Sequence, residues 1–213
     1  MRGLRTSHLC TIDTSIEFWP SLIDLLTSAL MVFLLINFLQ IILDWEATKI
    51  RKAQAELETT FKEKFAQDLK DGKVAIAHEP NLTQITFSED VLFERGEYKH
   101  LMSNKKGVEG GEAKLKRCVN ILRPSISSYE QIQVEGHTDS APYPEGQTEP
   151  PRDNWDLAAL RAIHVVKLFT DEGLPPGKLS ANSYGQHKPL PNIKAYNKKN
   201  RRIEIRVVFK TPK

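Results

Sequence analysis

The longest apolar stretch of the chain lies near its N-terminus. Residues 18–43 read FWPSLIDLLTSALMVFLLINFLQIIL and contain no Lys or Arg and a single acid, Asp24. An α-helix rises about 1.5 Å per residue, so this stretch extends about 39 Å and can cross a hydrocarbon core about 30 Å thick. A cleaved signal peptide has a shorter apolar region and a small-residue cleavage site, whereas the sequence DWE follows here. The pattern predicts an uncleaved membrane-spanning helix over 18–43 after a short tail, 1–17.

The acid inside this stretch is the first candidate for chemistry. An ionised carboxylate within a spanning helix costs about 2.5–3.5 kcal/mol, and an Asp side chain is too short to reach far towards the interface. Asp24 should therefore face protein or water, as in a pathway that passes a cation, and a single helix cannot enclose one without a partner. Thr27 and Ser28 on the adjoining turn would allow close helix packing. The alternative is a polar residue near the interface, because Asp24 lies about 9 Å from the start of the stretch.

An amphipathic pattern follows over residues 44–73. Its apolar positions recur every three or four residues, at Ile50, Ala53, Leu57, Phe61, Phe65 and Leu69. This spacing predicts a helical connector that continues the spanning helix and ends near Gly72. Such an apolar stripe needs a cover, and our interpretation from sequence is that the stripes of two chains pack together as a parallel dimer.

The remaining residues, 74–213, show the alternating short patterns of an α+β domain. The predicted strands are 74–78, 82–87, 131–135, 179–184 and 202–209, and the predicted helices are 112–122 and 156–170, the second with Asn154 as its N-cap. The order β-β-α-β-α-β-β predicts an α+β sandwich of ordinary domain size. In the last strand we expect Ile203 and Ile205 to point inward and Glu204 and Arg206 outward.

Charge and composition exclude several classes of function. The 30 Lys and Arg against 27 Asp and Glu leave a formal net charge of +3, and the basic residues form no stripe, so no nucleic-acid partner is expected. Two cysteines cannot build a disulfide framework, and the histidines lack zinc-ligand spacing, so we expect no metal site and no cofactor. Without a paired-carboxylate or metal signature, the chain is not expected to be an enzyme.

Two motifs of the domain carry candidate binding residues. The sequence VEGHTD ends a predicted strand and should expose His137, Thr138 and Asp139 in a loop, whereas LAALRA places Arg161 early in the next helix. A carboxylate and a guanidinium together could clamp a zwitterionic group, the acid taking the ammonium and the arginine the carboxylate. The alternative is a structural ion pair between Asp139 and Arg161, with His137 as a hydrogen bonder in the loop.

The motifs VEGHTD, NWDLAALRA, SANSYGQHKPL and NKKNRRIEIRVVF, in this order, resemble the C-terminal domain of the OmpA family, which binds peptidoglycan. The resemblance covers about 82–209. It implies that Asp139 and Arg161 grip the diaminopimelate of the peptide stem. The same resemblance implies that four neighbouring residues line the groove that holds this ligand: Thr138, Asn154, Leu157 and Arg202.

The apolar stretch resembles those of flagellar MotB and of ZorB from the Zorya anti-phage system. This resemblance implies that Asp24 carries a transported ion, either a proton or sodium. It also implies that Thr27 corresponds to the threonine that follows the ion-carrying Asp in these proteins. The layout is that of an ion-driven stator, in which a homodimer sits inside a pentamer of a multi-span MotA- or ZorA-like subunit. The family topology places the N-terminus in the cytoplasm, the helix in the inner membrane and the domain in the periplasm, although flanking positive charges favour the opposite orientation.

Within this stator family, the insertion 140–152 and the Asn-Trp pair at Asn154 resemble MotB. The short chain and its charged connector favour ZorB.

Overall fold

The computed structural model describes residues 15–94, 97–99, 101–102, 109–143, 146 and 148–211. Most of the tail assigned to 1–17, and part of the insertion at 140–152, lie outside these residues. The chain divides into two compact units, with the boundary between Glu46 and Ala47.

Helix α1 runs over Ser15–Lys64 and carries the apolar stretch in its first half. Among the described residues it is the one helix long and apolar enough to cross a membrane. Large side chains such as Leu25 and Met31 are each 67% exposed. A continuous apolar surface of this size needs lipid or protein to cover it. Helix α1 continues beyond the apolar stretch into the amphipathic segment and ends at Lys64, before the end predicted near Gly72.

The second half of α1 packs against the domain of its own chain. Leu57, Phe61 and Phe65 are at most 3% exposed and belong to the same core as Phe87 of the sheet. The rings of Phe61 and Phe65 stack with centroids 4.4 Å apart, and Phe65 meets Phe87 edge to face at 5.6 Å. The interpretation that this stripe packs on a sister helix is therefore wrong, because the chain's own domain already covers it.

Polar contacts hold the same helix in place. The side-chain amide of Gln54 donates to the backbone carbonyls of Glu79 and Leu82 at 3.0 and 3.3 Å. After a break at Phe65, helix α2 (Ala66–Lys70) brings Asp68 to Lys114, with Nζ to oxygen distances of 2.6 and 2.8 Å. Both partners are less than 10% exposed, so breaking this pair would leave a buried charge uncompensated.

Five strands form one sheet in the order β1-β2-β5-β3-β4. The strands are β1 (Val74–Glu79), β2 (Leu82–Ser88), β3 (Tyr129–His137), β4 (Leu179–Gly185) and β5 (Arg202–Phe209), and the further helices are α3 (Glu89–Leu92), α4 (Gly111–Leu122) and α5 (Asn154–Asp171). All neighbours are antiparallel except β3 and β4, which are parallel and joined through α5. The predicted α+β fold is confirmed.

The sheet has an apolar and a polar face. Val134 of β3 and Ile205 of β5 are paired across the strands and belong to the core, together with Leu115 of α4 and Phe169 of α5. The opposite face carries charged side chains, as predicted for Glu204. That residue is nevertheless buried on this face, with only 3% of its surface exposed.

We expect Phe61→Ala to lower the free energy of unfolding of the second unit by about 3–5 kcal/mol, because it removes a fully buried ring from the core. Urea denaturation of the detergent-solubilised full chain, followed by near-UV circular dichroism, measures this. Lys62→Ala is the matched control: it removes only an exposed pair with Glu58, worth less than about 0.5 kcal/mol. A loss below 1 kcal/mol for Phe61→Ala would contradict the packing described here.

Candidate ligand-binding site

The end of β3 and the start of α5 lie in close contact at one glycine. A Cβ on Gly136 would come within 2.1 Å of the carbonyl oxygen of Ala158, so only glycine allows α5 to approach the strand this closely. Strand β3 extends one residue further, to His137. Thr138 and Asp139 follow it and are only 3% and 6% exposed. The prediction that the loop exposes these residues is therefore wrong.

Asn154 connects the segments around this position. The N-cap of α5 is Asp153, whose carboxylate accepts from the Asp156 amide at 2.8 Å, and not Asn154 as predicted. The amide of Asn154 instead donates to the Ala141 carbonyl at 2.8 Å and to Oε1 of Gln186 at 3.0 Å. It therefore joins the insertion, the helix start and the loop after β4.

Asp139 and Arg161 belong to one charge network, although no direct ion pair between them occurs in the described part of the chain. Asp139 pairs with Arg201 at 2.9 Å, and Arg201 pairs with Glu89 at 2.5 Å. Arg161 pairs with the same Glu89 and donates from Nε to the Glu97 carbonyl at 2.9 Å. The structural pair considered from sequence is thus replaced by a four-residue network, Asp139–Arg201–Glu89–Arg161.

This network balances two acids against two arginines within a largely desolvated site. Arg161 is 2% exposed, and burial lowers the pKa of its guanidinium, an effect that Glu89 partly offsets. A zwitterionic ligand carries the same two kinds of charge. When such a ligand binds, its ammonium can replace Arg201 beside Asp139, and its carboxylate can replace Glu89 beside Arg161. The net charge of the site then stays the same, which keeps the desolvation cost of binding low.

The other predicted groove residues fall in different surroundings. Leu157, in the first turn of α5, is 6% exposed, and Thr138 donates its amide to the Gly185 carbonyl at 2.8 Å. Arg202 is engaged on the polar face of the sheet, donating to Glu204 at 2.6 Å, to the Asn200 carbonyl at 3.1 Å and to the Lys188 carbonyl at 3.2 Å. Arg201, its neighbour, is the arginine that reaches Asp139.

A cavity of about 360 Å³ opens beside Asn154. Trp155 lines it, is 49% exposed and has its ring 5.6 Å from that of His187. Tyr143 lines the same cavity, so aromatic surface is available to a ligand next to the charge network. A larger cavity of about 700 Å³, lined by Glu112 of α4 and by residues of α5, contains none of the predicted binding residues.

Sequence reasoning missed Glu89 and Arg201. Glu89 lies at the start of α3, 72 residues before Arg161, and no local pattern relates them. It also missed a buried group formed by Glu135, His137 and Glu204, whose atoms lie close enough to hold a metal ion. The spacing of Glu135 and His137 places both on one face of β3, but their meeting with Glu204 depends on strand pairing.

The predicted ion-carrying residues lie one turn apart on α1. The hydroxyl of Thr27 donates to the backbone carbonyl of Asp24 at 3.0 Å, and both residues are exposed on the helix surface. The carboxylate is thus presented outward from a helix that is otherwise apolar in this region.

Comparison with known proteins agrees with this fold. Residues 108–204 match the OmpA family. The chain is 36% identical over 124 residues to the uncharacterised protein YtxE of Bacillus subtilis, covering 57% of this chain and 46% of that protein. It is 38% identical over 76 residues to motility protein B of Helicobacter pylori, covering 35% of this chain and 28% of that protein. The chain therefore spans less than half the length of either relative.

A MotB-like protein from Desulfovibrio vulgaris, described as putative, has a similar solved structure. The TM-score is 0.61 at 20% sequence identity, and the match covers 79% of this chain and 99% of that one. At this identity the match reports on fold alone. The folded C-terminal part of the chain is an OmpA-like domain with the fold of MotB-like proteins.

Proposed function

We propose that the chain is an inner-membrane, ion-driven stator subunit anchored to peptidoglycan. The observation that carries this proposal is the presence, in one chain, of an apolar helix with an outward-facing Asp24 and of an OmpA-like domain. The helix would sit in the lipid bilayer with the N-terminus in the cytoplasm and the domain in the periplasm. No catalytic activity is part of this proposal.

The wall anchor is assigned to the charge network of the domain. Diaminopimelate carries an ammonium and a carboxylate at its free end, which suits the balanced network in which Asp139 and Arg161 take part. Asp139 would take the ammonium and Arg161 the carboxylate after Glu89 and Arg201 release them. The proposed neighbouring binding residues are Thr138, Asn154, Leu157 and Arg202. Arg202 would act through its neighbours, because its own side chain is engaged on the polar face of the sheet.

The motor part is assigned to Asp24 and Thr27. A proton that crosses 100 mV releases about 2.3 kcal/mol, and only a titratable group placed in the pathway can use it. We propose a multi-span partner of the MotA or ZorA kind that encloses the carboxylate, with a homodimer of this chain inside a pentamer of that partner.

If the homodimer forms, its contact should lie in the spanning helix. A single cysteine at Ser28 is expected to crosslink between chains in membranes when the partner is co-expressed, since small residues allow close helix packing. A cysteine at Leu57 should not crosslink, because that side chain is 3% exposed within its own domain. Both variants need Cys10 and Cys118 replaced by Ala. Crosslinking at Leu57, or none at Ser28, would contradict this arrangement.

Within the stator proposal, we favour a Zorya anti-phage role, because of the resemblance of the apolar stretch and because of the charged helical connector. A flagellar role is the second candidate, favoured by the relative named motility protein B, and a passive wall anchor is the third. Deletion of the gene in its native host, scored for phage plating and for swimming, separates them. Lost phage resistance would support the Zorya role, and lost swimming would support the flagellar role. If the deletion changes neither property, a motor function is contradicted.

A further inference from the structure

Three buried side chains on the polar face of the sheet direct atoms at one another. Glu135 and His137 of β3 and Glu204 of β5 are each at most 3% exposed, and Glu135 lies directly opposite Glu204 across the strands. Nε2 of His137 is 3.8 Å from Oε2 of Glu135 and 3.9 Å from Oε2 of Glu204. The three ligand atoms lie within 4.8 Å of one another.

The described chain does not supply the partners that these atoms need. Neither ring nitrogen of His137 has a hydrogen-bond partner among the described residues, and neither does Oε2 of Glu135. Buried polar atoms in folded proteins are nearly always paired. The separations of 3.8 and 3.9 Å are too long for hydrogen bonds. Two ligand atoms of a tetrahedral metal ion lie about 3.4 Å apart when each metal–ligand bond is about 2.1 Å long. The observed separations are closer to this value than to the length of a hydrogen bond.

The second oxygen of each carboxylate faces an arginine. Oε1 of Glu204 accepts from Nε of Arg202 at 2.6 Å, and Oε1 of Glu135 lies 3.8 Å from Nε of Arg206. Each acid therefore directs Oε1 to an arginine and Oε2 towards His137. Outer groups that hold ligating carboxylates in this way are a regular feature of metal sites.

Lys188 is the neighbour that competes most directly with a cation. Its Nζ lies 3.6 Å from Oε2 of Glu135 and 4.2 Å from the centre of the Tyr184 ring, which itself stacks on His137. The side chain of Lys188 is 45% exposed. It can therefore swing into solvent and leave room for a water ligand.

We propose that Glu135, His137 and Glu204 bind one divalent transition-metal ion, preferentially Zn²⁺, with water as the fourth ligand. One imidazole and two carboxylates are a ligand set that Zn²⁺ accepts in tetrahedral geometry. A bound ion would tie β3 to β5 immediately before Asp139, and this site is independent of the proposed stator function.

The test uses the untagged full chain in detergent, stripped with a chelator and titrated with Co²⁺ and then Zn²⁺. We expect the intense visible absorption of tetrahedral Co²⁺ to appear with one equivalent, to vanish when Zn²⁺ displaces it, and to accompany a rise in unfolding temperature. His137→Gln and Glu204→Gln should each weaken metal binding by about 10–100-fold or more. Lys188→Met should strengthen it by removing the competing charge.

His78→Gln is the matched control, since His78 lies outside the cluster with a side chain that is 46% exposed, and its affinity should equal that of the unaltered chain. Near-UV circular dichroism shows whether each variant is folded, and Lys188→Met, at an exposed position, decides the matter if the buried variants do not fold. The proposal is overturned if no tetrahedral Co²⁺ signal develops, if the signal persists in folded His137→Gln and Glu204→Gln, or if Lys188→Met leaves the affinity unchanged.

Discussion

Asp24→Asn is expected to abolish the biological output of the chain, whether phage resistance or motility, while its amount in the membrane stays unchanged. Asparagine keeps the size and polarity of the side chain but cannot take up and release a proton, so the energy of the membrane potential can no longer be used. Phage plating or swimming of a deletion strain that carries the variant measures this effect.

Two variants make this result specific. Asp24→Glu retains a titratable carboxylate and should restore part of the output, whereas Asp44→Asn, at the other end of the apolar stretch, should leave it intact. Full output from Asp24→Asn would remove the ion-carrier role and favour a passive anchor.

Arg161→Ala is expected to lower the affinity of the chain for purified peptidoglycan by at least about 30-fold. Removing one partner of a buried charge pair costs about 2–5 kcal/mol, and here it removes the guanidinium proposed to hold the ligand carboxylate. Sedimentation of the detergent-solubilised full chain with sacculi measures the bound fraction. Asp139→Ala should act in the same direction by removing the group proposed for the ammonium.

Arg123→Ala is the control for lost positive charge, because Arg123 lies outside the network and donates to the Glu172 carbonyl. Circular dichroism shows that each variant is folded. Equal sedimentation of Arg161→Ala, Asp139→Ala and the unaltered chain would mean that this network is not the wall-binding site.

Regular patterns made most of the fold predictable. The alternation of apolar and charged residues in IEIRVV predicts the two faces of β5, and Pro124 predicts that α4 ends shortly before it. The cap of α5 was mispredicted because Asp153 and Asn154 are both good capping residues, and only the backbone geometry selects the first. The apolar stripe of α1 shows that Phe61 needs a cover, but periodicity carries no information on whether a sister chain or the domain provides it.

The site was predictable only in its locally encoded parts. The motifs place Asp139 directly after β3 and Arg161 in the early turns of α5, and both residues take part in one charge network. Their actual partners, Glu89 and Arg201, come from distant segments, and their pairing depends on how β2 and β5 meet in the sheet. Exposure was mispredicted for the same reason: a loop residue such as Thr138 becomes buried once other segments pack over it.

The proposed ion-carrier role of Asp24 can be tested by measuring ion flux through membrane vesicles that contain the chain together with its multi-span partner. A pH-sensitive dye inside the vesicles should report proton entry down an imposed gradient with the unaltered chain, and none with Asp24→Asn at equal protein content. A flux that follows only a sodium gradient would keep the carrier role and change the ion. Equal flux of both ions in the unaltered and Asp24→Asn vesicles would show that Asp24 is not the ion carrier.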